Sequence, residues 1–118
     1  IVRGTTSRKI KDMILDAGAA EVHSRIASPP TAWPCFYGVD TPERSKLLAA
    51  TMTEDEMRDW IGVDSLKFIS LNGLYRAAGE AAGRDPQNPH YCDACFSGDY
   101  PVAPSDMIEK GFVMKAAE

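Results

Sequence analysis

The strongest constraint on this chain is the run from Gly83 to Ser105, which shows no hydrophobic periodicity and carries Cys92 and Cys95 in "PHYCDACFSGDYP". More than twenty consecutive residues without structure of their own are uncommon in a compact domain unless the loop is functional or stapled. A second irregular stretch, "SPPTAWPCFYGVD", holds three prolines within six residues and contains Cys35. The chain's three cysteines therefore all fall where the backbone lacks a local reason to hold its shape. Drawing them to one metal centre would close both loops and remove their conformational freedom. Spacing alone leaves the metal open. Iron–sulfur clusters take four thiolates, whereas zinc would take Cys35, His90, Cys92 and Cys95. A redox pair is expected at a helix N-terminus after a strand, not in a loop rich in Pro and Gly. Three unmetallated buried thiols are the remaining reading, and His23, alone in a strand, reads as a surface histidine.

The chain as a whole has the composition of one modest soluble domain, 118 residues with 44% hydrophobic and 25% charged. A net charge of -4 and a pI near 5.1 argue against nucleic-acid binding, because the basic residues are scattered among more numerous acids. No apolar run approaches the roughly 18 residues of a membrane span, and the start carries no signal-peptide pattern. An odd number of cysteines suits a reducing compartment, so the expected location is cytoplasmic.

Periodicity predicts an α/β order. Ile10, Met13, Ile14 and Ala17 recur at helical spacing from Thr6, with Gly18 as the stop and one face expected to pack. "EVHSRIA" alternates as a half-buried strand. Thr41, Pro42 and Glu43 read as a helix start leading to Leu47 and Leu48. Thr53 and Glu56 have capping-box spacing ahead of Met57, Trp60 and Ile61, and Gly62 closes that helix. "SLKFIS" is a brief strand, followed by a helix from Leu71 to Ala82 with Leu71, Leu74, Tyr75 and Ala78 inward. Two short strands are too few for a stable sheet by themselves.

The opening "IVRGTTSRK" combines a glycine turn with a helix N-terminus, where unpaired amides and the positive end of the dipole converge on one point. Gly4 would let an anion approach the backbone, Thr5 and Thr6 would add hydroxyl donors, and the amides from Val2 through Arg3 to Thr6 would line the cup. Arg8, Lys9 and Lys11 crowd the first turns, where the dipole alone disfavours them; a bound anion would reverse that penalty. An ordinary Thr cap with solvated basic neighbours is the alternative reading of the same residues.

Taken together, "IVRGTTS", "RIASPPTAWPCFYGVDTP", "IGVDSLKFISLNGL" and "YCDACFSGDYP" resemble the C-terminal part of the amidophosphoribosyltransferase family, over almost the whole chain up to Pro101. The resemblance implies the C-terminal part of a type I phosphoribosyltransferase fold, a parallel sheet with flanking helices, over 1–82, and an irregular cysteine-bearing segment over 83–118. It implies a glycosyltransferase of de novo purine biosynthesis that makes 5-phosphoribosylamine from phosphoribosyl pyrophosphate and glutamine, coupled to an N-terminal-nucleophile glutaminase. In that family the turn matching Val2, Arg3, Gly4, Thr5 and Thr6 cradles the 5-phosphate of the substrate or of an inhibitory purine nucleotide. Cysteines matching Cys35, Cys92 and Cys95 bind a 4Fe-4S cluster read as structural, and magnesium holds the pyrophosphate. The paired aspartates, the glutaminase cysteine and the fourth cluster cysteine have no match here. The expectation is thus a fragment with no catalytic residue of its own, inactive alone, from a homo-oligomeric enzyme without nucleic-acid or membrane partners. The alternative is a freestanding zinc-binding module without catalysis.

Overall fold

A computed structural model describes residues 1–103. Its elements run α1 (Thr5–Asp16), β1 (His23–Ile26), a 3-10 turn (Arg44–Lys46), α2 (Leu48–Thr51), α3 (Glu54–Ile61), β2 (Ser65–Phe68), α4 (Leu71–Ala77) and α5 (Ala94–Ser97). The architecture is α/β: β1 and β2 pair in parallel, His23 opposite Ser65 and Ile26 opposite Phe68. Asp64 fixes that register from both sides. Its carboxylate accepts from the Val22 amide at 2.7 Å while its own amide donates to the Val22 carbonyl at 2.9 Å.

The core lies between this sheet and α2 and α3, and is built from Val22, Leu48, Met57, Ile61, Val63 and Leu66. α3 is the element most completely specified by local chemistry. The Thr53 hydroxyl accepts from the Glu56 amide, the Glu56 carboxylate accepts from the Thr53 amide, and Gly62 ends the helix in the left-handed region at φ 82°. Met57 and Ile61 then point inward one turn apart.

Four elements depart from the sequence pattern, one of them α5, a helical turn at Ala94–Ser97 inside the stretch read as irregular, of which residues 104–118 lie outside the described residues. Along α1 nothing is buried: Ile10 is 52% and Met13 70% exposed, so the apolar stripe is present but unpacked. Helical spacing specifies which residues share a face and says nothing of whether a partner lies beneath it. Thr41 starts no helix; its hydroxyl accepts from the Cys35 amide at 2.7 Å, and regular helix begins only at Leu48. α4 stops at Ala77, not Ala82, because Gly79 turns the chain at φ 103°, which leaves Ala78 exposed while Tyr75 is buried.

Candidate functional site

The first candidate site is the turn into α1. Gly4 is the N-cap at φ 73°, and no side chain caps the helix, so the amides of its first turn have no partner within it. The Val2 carbonyl accepts from the Leu48 amide at 3.0 Å, anchoring the approach to the turn, while Val2, Arg3, Thr5 and Thr6 lie exposed around it. Arg8 closes the first helical hydrogen bond onto the Gly4 carbonyl at 3.0 Å. Gly4 itself is buried, and the four residues around it are exposed at the uncapped start of α1.

The structure gives Gly4 a reason that sequence reading missed. A β-carbon there would lie 2.5 Å from both Leu48 Cδ1 and Trp60 Cζ3, so the residue is required by close packing as well as by its positive φ. The basic crowd on α1 is likewise accounted for from within. The Arg8 guanidinium sits 4.8 Å from the centre of the Trp60 ring, and the Lys11 amine reaches the Asp12 carboxylate at 2.5 Å. Lys11 also lies over the end of α3, where a side chain at Gly62 would come within 3.4 Å of its amine. Two of the three cations therefore need no anion to explain them.

The second candidate site is the thiols. Cys35 is half-buried, its sulfur accepting from the Tyr37 amide at 3.4 Å. Cys92 is exposed just before α5, and Cys95, half-buried, lies within it. The Cys95 carbonyl accepts from the amides of Ala32 and Trp33, each at 3.1 Å, which ties the proline-rich segment to the cysteine loop. Burial pushes the Cys95 thiol up, and the charges of Cys35 and Cys92 push it the same way. Burial also drives the Tyr100 phenol up to about 12, with the Cys95 and Cys35 charges next in effect. Among the described residues, no three His, Cys, Asp or Glu side chains form a group able to hold a metal ion. His90 is exposed and paired with the Glu80 carboxylate at 2.6 Å, which raises its pKa. The set Cys35, His90, Cys92 and Cys95 is therefore not assembled as a zinc site.

No family model matches the chain. Curated relatives do. It is 56% identical over 103 residues to the amidophosphoribosyltransferase of Rhizobium etli, covering 86% of this chain and 21% of the relative. It is 50% identical over 112 residues to the chloroplastic amidophosphoribosyltransferase 2 of Arabidopsis thaliana, covering 94% of this chain and 19% of the relative. Among solved structures it is similar to the glutamine phosphoribosylpyrophosphate amidotransferase of B. subtilis complexed with ADP and GMP. The TM-score is 0.75 at 50% identity, over 86% of this chain and 22% of that one. Over most of its length this chain is similar to one segment of amidophosphoribosyltransferases. It spans about a fifth of the length of the relatives it matches.

In this chain the irregular loops are held by a device the sequence did not announce. Asp93, between the two cysteines, is 4% exposed and fully engaged. Arg84 grips both of its oxygens, Nε at 2.5 Å and Nη2 at 3.2 Å, while Tyr75 and Ser97 hydroxyls each donate at 2.7 Å. Burial opposes its ionisation, but these donors together hold its carboxyl below the ordinary range. Around Cys35, Phe36 and Tyr37 meet Tyr100 edge-on at 5.3 and 6.1 Å, and the Tyr100 hydroxyl donates to the Pro34 carbonyl at 2.6 Å. Arg44 stacks 4.0 Å over Trp33, whose ring fills the space a side chain at Gly98 would need. The only sequence hint was an acid placed inside C-x-x-C. Its partners, Tyr75 and Arg84, stand 18 and 9 residues away, beyond any local pattern.

Proposed function

We propose that this chain is the part of an amidophosphoribosyltransferase that grips the 5-phosphate of phosphoribosyl pyrophosphate and supplies three thiolates to a 4Fe-4S cluster. The likeness to the B. subtilis enzyme carries the reading, at half identity over 86% of the chain. That enzyme is complexed with ADP and GMP, so the turn at Val2, Arg3, Gly4, Thr5 and Thr6 is assigned to the phosphate of substrate or of a purine nucleotide inhibitor. Exposed amides at the positive end of a twelve-residue helix suit a dianion, and the Thr5 and Thr6 hydroxyls add donors. Their work is positioning. They hold the ribose end still while glutamine-derived ammonia displaces pyrophosphate at the anomeric carbon, with the groups that stabilise charge, and those that bind magnesium, lying in the rest of the enzyme.

For the thiols, the match of Cys35, Cys92 and Cys95 to the cluster ligands of amidophosphoribosyltransferases favours a cluster over a single ion. A four-iron cluster binds each thiolate on a different iron, and all three thiols are free of disulfides. Cys35, Cys92 and Cys95 would hold it, the fourth ligand coming from outside this chain. Bound, it would cross-link the two irregular segments.

The test uses the full-length enzyme. Glutamine-dependent pyrophosphate release, with iron and sulfide bound in near-equal amounts, is the expected result. Replacing Thr6 by Val removes one hydroxyl donor without touching the Gly4 packing. It should raise the KM for phosphoribosyl pyrophosphate about tenfold, the typical effect of losing a hydrogen bond to a charged group. Absence of pyrophosphate release, or an unchanged KM, overturns the phosphate assignment; zinc in place of iron overturns the cluster.

A further inference from the structure

We infer that Asp93, locked by Arg84, is the positioning residue of the thiol site: it sets Cys92 and Cys95 in place before any metal arrives. The inference rests on the reading of the cysteines as ligands and adds to it how the ligand loop keeps its shape. Asp93 follows Cys92 directly and is the N-cap of α5, whose second residue is Cys95. Its carboxylate takes four hydrogen bonds from three side chains on separate parts of the chain: Tyr75 on α4, Arg84 on the loop, and Ser97 on α5. Its carbonyl accepts from the amides of Phe96 and Ser97 at 2.8 and 2.9 Å. One residue thus nails both the start and the end of the four-residue helix that carries Cys95.

Arg84 is itself held fast. The Asn72 side chain accepts from the Arg84 amide at 3.0 Å, and Asp99 takes Nη2 at 2.8 Å. Gly83, at φ 87°, lets the backbone pass where a β-carbon would strike Asn72 at 2.8 Å. The arginine is anchored by α4 and in turn anchors the carboxylate. A buried carboxylate with all its donors in place tolerates little displacement, since losing them leaves a charge unsolvated. The cost of ordering the loop is therefore met by the protein's own side chains, and a metal centre would meet Cys92 and Cys95 on a backbone already fixed. In a typical metal-stapled loop order follows binding; here it precedes binding.

The test compares full-length enzyme with Asp93→Ala and Arg84→Lys variants, each stripped of metal under anaerobic reducing conditions. Hydrogen exchange of the amides of Ala94 to Gly98 and the rate of iodoacetamide alkylation of each cysteine are followed by mass spectrometry. In Asp93→Ala both should rise about tenfold or more, with exchange in β1, α3 and β2 unchanged. Arg84→Lys keeps the charge but loses the two-point grip, so it should lie between wild type and Asp93→Ala. Ser97→Ala, which removes a single donor, serves if Asp93→Ala does not fold, with the same direction and a smaller rise expected. On adding iron and sulfide, wild type should recover its visible absorption faster than every variant. Equal exchange and alkylation in wild type and variants overturns the inference. Failure of wild type to take up iron while the exchange difference persists sinks the ligand reading and leaves the clamp standing.

Discussion

Replacing Gly4 by Ala separates the two roles that one glycine serves. The new β-carbon would lie 2.5 Å from Leu48 Cδ1 and from Trp60 Cζ3, so at least one of these part-buried or buried groups must move. Overpacking of this kind costs about 1–3 kcal/mol. The residue also sits at φ 73°, where a β-carbon adds about 1–2 kcal/mol of backbone strain. Urea denaturation of the chain, followed by tryptophan fluorescence, should therefore show a loss of about 2–5 kcal/mol. The packing share can be isolated. In a Trp60→Ala background one of the two clashes is gone, so the same glycine change should cost less by about 1 kcal/mol or more. An identical loss in both backgrounds would refute the packing account against Trp60 and leave the positive φ of Gly4 as the cause.

Ile61, 1% exposed in the core, should lose about 2–5 kcal/mol on replacement by Ala, read from the same urea midpoints. The hydrogen bond from Lys67 holds the Glu54 carboxyl below its ordinary value of 4.5, against opposing burial, with the Phe68 amide assisting. A depressed folded-state pKa stabilises above the unfolded value and ceases to do so as pH falls through the folded one. Glu54→Gln should accordingly lower the melting temperature at pH 7 and leave it unchanged near pH 2; equal effects at both would contradict the pairing. Tyr100→Phe should cost about 1 kcal/mol through the lost bond to Pro34 and remove an ionisation near pH 12 from an ultraviolet titration of the tyrosines.

What was legible in the sequence is what depends on neighbours a few residues apart. The capping box of Thr53 and Glu56, the glycine stop at Gly62, the alternation from Val22 to Ile26 and the absence of helix through the prolines all follow from such local chemistry. So does the clustering of amide donors at the Gly4 turn, since a helix start exposes them wherever it stands. Tertiary structure decided the rest, because burial and charge pairing depend on what the fold brings alongside. It left the α1 stripe uncovered, laid Arg8 over Trp60, diverted Thr41 to the Cys35 amide, and drew Arg84 and Tyr75 onto Asp93. Hydrophobic period and turn chemistry are properties of the local chain; an ion pair or a packed face exists only once residues distant in sequence have met.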